Sequence, residues 1–153
     1  MGCDIHCFIE AKKLGAWENL NTFEYKEETS DFYLKEMPMG RDYELFGVLA
    51  GVRDRSYPII AGLRGIPADA SQELKYVYDF WNPYGHSCSW LTMAEVREAM
   101  KDKEKYPRER NEYSFYPIGK KLKKFYKKVK SIVVEEQGYF RPEDTRVVFW
   151  FDN

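Results

Sequence analysis

Residues 1–10 run MGCDIHCFIE, and how this stretch alternates decides what kind of sheet the protein builds. In an extended strand successive side chains point to opposite sides, so Cys3, Ile5, Cys7 and Ile9 share one face and Asp4, His6, Phe8 and Glu10 the other. The first face is core. The second is either wet or the floor of a site. The strand is expected to turn at Leu14 and Gly15 and return through residues 16–20, AWENL, as a hairpin. At the far end of the chain RVVFWFDN, residues 146–153, is densely β-branched and aromatic and predicts a strand buried on both faces. Strands at both ends with helices between them predict a single α+β domain over residues 1–153: a small, mainly antiparallel sheet of N-terminal hairpin plus C-terminal strand, with packed helices. That sheet would bring Asp152 close to Asp4 and His6.

Between the strands the punctuation is local. Residues 21–40 are polar and turn-rich, and Pro38 interrupts any regular element, so a loop or lid is expected there. In GRDYELFGVLAGVRDR, Tyr43, Phe46, Leu49 and Ala50 recur at helical spacing behind Asp42 as a cap. PIIAGLRGIPADAS is a loop that ends in Ser71, the N-cap of a helix over QELKYVYDFW. NPYGHSCSW is again turn-rich. Thr92 and Glu95 form a capping box for a helix from Met93 to about Lys101, and residues 102–116 read as charged, irregular surface. In GKKLKKFYKKVKSIVVEEQG, Leu122, Phe125, Tyr126, Val129, Ile132 and Val133 repeat every three or four residues, with the lysines on the opposite face and Gly138 ending the helix. Those lysines are read as a solvated face rather than a nucleic-acid patch.

Composition narrows the function classes. A chain of 153 residues can bury one core, and no apolar run approaches the roughly 20 residues of a membrane span. The net charge of −1 argues against a bulk nucleic-acid binder. No secretory signal is visible and three cysteines is an odd number, so reduced thiols in the cytosol are expected. Cys3, His6, Cys7, His86 and Cys88 are the residue types of a zinc site, but they fit no standard spacing, and Cys3 and Cys7 point away from His6 on the strand.

Polar residues with chemical potential fall in three groups: Asp4, His6 and Glu10; Arg41, Arg53, Asp54, Arg55 and Arg64; and Asp69, His86, Ser87 and Ser89. Asp4 and His6, two apart on one strand face, converge on a point, and His86 with Glu10 or Asp69 would complete an oxygen-and-nitrogen site for a divalent metal. Alternatively His6, oriented by Asp4 or Asp69, works with His86 as an acid–base pair, or these groups only hydrogen-bond a ligand. The competing structural account is a wet strand face with His6 satisfied by a neighbouring carboxylate. Arg53 and Arg64 suit bidentate phosphate or carboxylate recognition, or tie loops to carboxylates such as Asp69. There is no P-loop, GxGxxG, GxSxG or HExxH, and no nucleophile stands out: Ser71 is a cap, while Ser89 and Cys88 have no clear activating base. Tyr78, Trp81, Tyr84 and Trp90 offer rings that stack a base or build core.

The start MGCDIH, followed by RDYELFGVLAGVR, RGIPADAS, GHSCSWLT and a final VVFWFDN, resembles a family of small, mostly uncharacterised phage and prophage proteins, across nearly the whole chain. In that family position 88 is often His where this chain has Cys88. The resemblance implies no activity. It does imply a phage context, where small proteins with polar, arginine-bearing pockets often counter host defence by sequestering or degrading nucleotide signals, an analogy of habit rather than of chemistry.

The expectation that follows is a phage-type protein of the host cytosol that binds a phosphorylated, nucleotide-derived small molecule through Asp4, His6, Glu10, Arg53, Arg64, Asp69 and His86. Arg53 and Arg64 would take phosphate, and Asp4, His6 and His86 the sugar. A metal-dependent phosphoesterase, with Asp4, His6 and His86 as metal ligands and His6, His86 and Asp4 as catalytic candidates, is the alternative. A protein that inhibits a host factor by direct contact is the third class, and it would expose an apolar patch between Asn21 and Gly40. No membrane partner is expected; self-association is left open.

Overall fold

In the computed structural model, which describes residues 2–112 and 115–153, the opening alternation becomes the strand β1, Asp4–Lys13. It pairs antiparallel with the last strand, β6, Thr145–Asp152, in a register running from Asp4 opposite Asp152 to Ala11 opposite Thr145. On its other side β1 turns back into β2, Ala16–Asn19. The two turn residues, Leu14 and Gly15, both have positive φ (50° and 83°), as a tight two-residue hairpin with right-twisted strands requires.

Two stretches read as loop or turn contain strands. His86–Thr92 is β5, which adds to the free side of β6, so the sheet order is β2-β1-β6-β5. Its inward positions include Ser89, 2% exposed, beside Leu91, and a serine in the core row hid the apolar alternation. The expected loop at residues 21–40 holds a separate hairpin, β3, Phe23–Lys26, and β4, Asp31–Leu34. Here the charged turn between the strands masked a short alternation on each side, Phe-Glu-Tyr-Lys and Asp-Phe-Tyr-Leu.

The helices follow their caps. Asp42 accepts from the Leu45 N–H to start α1, Tyr43–Ala50, and Ser71 accepts from the Leu74 N–H to start α2, Gln72–Trp81. The Thr92–Glu95 capping box starts α3, Met93–Lys101. The lysine-rich helix α4, Ile118–Gln137, ends at Gly138 with φ 85°, a left-handed cap that glycine adopts without steric cost. Residues 102–112 are irregular, but Tyr106 plugs into the core and its hydroxyl donates to the Pro58 carbonyl; positions 113 and 114 of the stretch read as surface lie outside the described residues.

The result is three layers. Cys3, Ile5, Cys7, Ile9, Phe149 and Phe151 pack against Phe46 and Leu49 of α1, Val96 of α3, and Leu122, Phe125 and Val129 of α4. On the opposite face Phe8, Val148 and Trp150 are covered by Leu34, Ala70 and Leu74, so α2 roofs the central strands. The face bearing His6 and Glu10 is therefore buried rather than wet. Among the described residues no helix is long and apolar enough to cross a membrane.

Phe149 is fully buried and Val134 on α4 is 41% exposed. Phe149→Ala is expected to cost about 3–5 kcal/mol in urea unfolding, while Val134→Ala should stay within about 0.5 kcal/mol.

Candidate functional site

Asp4 sits at the open end of β1 and is gripped by Arg41, whose Nε and Nη2 donate to its two oxygens at 2.7 and 3.3 Å. That hydrogen bonding holds the Asp4 carboxyl below its ordinary value. Two residues on, His6 is 7% exposed and clamped: Nδ1 lies 2.6 Å from Glu36 Oε2 and Nε2 2.7 Å from Asp152 Oδ2. Its ring lies against Trp81, with centroids 4.1 Å apart. Burial disfavours the imidazolium, but the hydrogen bonds and charges of Glu36 and Asp152 outweigh it, and the value is raised above 6.5. With a carboxylate on each nitrogen, the protonated ring can donate to both. It is a structural latch between β1, β6 and the segment that follows β4, and a poor general base.

Farther along the same face, Glu10 is fully buried. Its Oε1 accepts from Arg146 Nε at 2.9 Å and its Oε2 from the Ser71 backbone N–H at 2.7 Å. Arg146 Nη2 also lies 2.8 Å from Glu10 Oε1, outside hydrogen-bond geometry. Arg146 Nη1 donates to Asp69 Oδ1 at 2.9 Å, and the guanidinium lies over the rings of Trp17 and Trp90 at 4.1 and 5.4 Å. Burial works against ionisation of Asp69, yet Arg146 holds its carboxyl below the ordinary value. This network joins β1, β2, β5, β6 and the start of α2.

The other residues singled out in the sequence lie apart. Arg64 forks onto Glu95, stacks over Trp90 at 4.5 Å and donates to the Trp90 carbonyl, so both its terminal nitrogens are engaged within the protein. Arg53 is exposed, in the left-handed region at φ 66°, with its guanidinium 5.8 Å from the Tyr43 ring. His86 is exposed on β5, contacts Ser87 and Asn153 through its two nitrogens and stacks on Phe151, whereas His6 shares the α2 side of the sheet with Trp150 and Phe8. Cys3 and Cys7 are buried on the face away from His6. Burial pushes the Cys7 thiol far up, and the Cys88 thiol up to about 12. Among the described residues no group of three or more His, Cys, Asp or Glu is placed to hold a metal ion.

Of the seven expected ligand contacts, then, only Glu10 and Asp69 are drawn together, and they meet through a residue outside that set. Arg146 is the one cation of β6 and directly precedes its apolar run Val147–Phe151. Glu36 and Trp17 carried no local signal. A cleft of about 630 Å³ opens beside this network, lined by Trp17, Glu18, Asn19, Asp69, Ser71 and Glu73. Compared with family models, curated proteins and solved structures, the chain matches none.

Because the His6 value is raised on folding, its stabilising contribution is complete below 6.5 and is lost as pH rises through the folded value. The gap in urea midpoint between wild type and His6→Gln should therefore be widest below pH 6.5 and narrow above it; a gap independent of pH contradicts the clamp. Removing one partner of the buried pair, by Arg146→Met or Glu10→Gln, is expected to cost about 3–5 kcal/mol in the same assay. The double variant should lose less than the sum of the two.

Proposed function

We propose that this chain is a phage-type protein that inhibits a host factor by direct contact, through the apolar face of the β3–β4 hairpin. One observation carries the reading. Cross-strand pairing places Phe23, Tyr25, Phe32 and Leu34 on a single face. Leu34 is buried against α2 and anchors the hairpin, while Phe23, Tyr25 and Phe32 are 54%, 53% and 66% exposed. A contiguous aromatic face is costly to leave in water and marks a contact surface. On the opposite face the polar groups are satisfied internally: Tyr33 donates to Glu24, Lys35 pairs with Glu24, and Lys26 lies 4.4 Å from the Tyr33 ring.

The hairpin tip carries Glu27, Glu28 and Asp31, all exposed. The complementary partner is a protein with an apolar recess rimmed by lysine or arginine. A second copy of this chain is a worse match, because self-contact brings two acidic tips into one interface. The phage context rests on the resemblance of the MGCDIH, RGIPADAS and GHSCSWLT stretches, and counter-defence on that context alone.

The small-molecule reading keeps one supporting observation, the 630 Å³ cleft, which has nucleotide dimensions, an aromatic wall at Trp17, and Asn19 and Asp69 to meet sugar hydroxyls. Against it, Glu18, Asp69 and Glu73 repel phosphate there, and Arg64 is engaged elsewhere.

The test is co-purification from a bacterial host of wild type and a Tyr25→Ser/Phe32→Ser variant, with the captured protein identified, produced separately and titrated. The variant should keep its melting temperature and bind at least about tenfold more weakly. Equal binding, or a tight homodimer through the hairpin in light scattering, overturns the reading. Mass spectrometry of small molecules released by heating the wild type decides the second reading: an intact nucleotide would favour it over the first.

A further inference from the structure

The stretch GHSCSW contributes to a recess distinct from both the hairpin face and the Trp17 cleft. Between His86 and Ser89 the β5–β6 register slips: His86 lies opposite Phe151 and Ser89 opposite Phe149, so Ser87 and Cys88 together face Trp150. The bulge is held with Ser87 at φ 55°, a conformation that non-glycine residues seldom adopt. Ser87, Cys88 and Trp150 border a cavity of about 70 Å³, walled by Tyr78 and Trp81 at the end of α2 and by Asn82, Gly85 and His86.

Trp150 is 1% exposed, and its Nε1 has no hydrogen-bond partner in the protein. The ring packs closely on Gly85, where an added Cβ would lie 3.0 Å from Trp150 Cδ1, the atom bonded to Nε1. Trp150 and Gly85 both border the recess, so the unpartnered donor belongs to a ring on its wall. A buried donor without an acceptor is destabilising by an amount that a bound acceptor recovers. No carboxylate, lysine or arginine lines the recess, and the two nitrogens of His86 on its border are taken up by Ser87 and Asn153, so the environment favours a neutral acceptor over an anion. The Asn82 amide on the rim supplies both a donor and an acceptor. The volume holds roughly two waters or one body of about four heavy atoms.

We propose that this recess is a binding site for a neutral carboxamide group, held flat between the Trp81 and Tyr78 rings with its carbonyl oxygen accepting the Trp150 indole N–H. Its amide nitrogen meets Asn82. The occupant is either a free small amide or the side-chain amide of a protein.

Proton–nitrogen correlation spectra of the whole chain test this through the indole signals of Trp17, Trp81, Trp90 and Trp150, the last assigned by its loss in Trp150→Phe. Titration with acetamide should shift the Trp150 indole proton downfield and saturate in the millimolar range, as expected of so small a probe, while the Trp17 and Trp90 signals hold still. Gly85→Ala presses a methyl onto Trp150 Cδ1 at the recess wall without demanding an unusual backbone, and should abolish the shift. If that variant fails to fold, Asn82→Leu on the exposed rim should weaken acetamide binding several-fold. The capped amino acid N-acetyl-glutamine methylamide distinguishes the sources: a saturating shift with it as well assigns a protein side chain, and a shift with acetamide alone a free small amide. A response to acetamide that never saturates, that survives Gly85→Ala, or that acetate reproduces at equal concentration overturns the proposal.

Discussion

A guanidinium that is 1% exposed must have its charge met, and much of the architecture is arranged around meeting that of Arg146. Its partner Glu10 stands directly opposite it in the β1–β6 ladder. A slip of one residue would turn Arg146 toward the face packed by Phe46, Leu49 and Phe125, so the ion pair fixes the register along which both chain ends meet. The second oxygen of Glu10 accepts the Ser71 N–H and thereby seats the first turn of α2. The remaining reach of Arg146 goes to Asp69, Trp17 and Trp90, which brings the α2 lead-in, the edge hairpin and the far edge strand onto one group. Such a pair is weak evidence for net stability, since hydrophobic replacements often match buried ion pairs energetically.

The same economy governs the other charges. Asp4 with Arg41, His6 with Glu36 and Asp152, Arg64 with Glu95, and Lys121 with Asp42 and Glu44 each join elements distant in sequence. Asp4, His6, Glu10, Arg64 and Asp69, which look like ligand contacts in chain order, are engaged in holding the layers together. Among the described residues, exposed aromatic rings include two groups: Phe23, Tyr25 and Phe32 on the small hairpin, and Tyr76, Phe80 and Tyr84 on and just beyond α2. That distribution is what the proposed contact through the β3–β4 hairpin rests on.

Much of this fold is legible locally. Asp42, Ser71 and Thr92 mark helix starts because a cap satisfies N–H groups within three residues of itself, and Gly138 marks a stop because a left-handed residue closes the turn behind it. The alternation of Cys3, Ile5, Cys7 and Ile9 names a core face since the period of a strand is set by the backbone alone. The strands that escaped reading, β3 with β4 and β5, are those whose apolar rows are broken by a charged turn or by an inward serine.

The sequence by itself determined the α+β class, the four helices with their capping residues, and the pairing of an N-terminal hairpin with a C-terminal strand. These depend on interactions spanning a few residues or on a backbone period. Only the tertiary structure decided what the polar face of β1 does. Whether His6 and Glu10 are wet, catalytic or locked depends on α2 covering them, and on Glu36, Asp152, Arg146 and Asp69 arriving from up to 146 positions away. A side chain states its chemistry locally, but its partners and its dielectric surroundings exist only once the chain has folded.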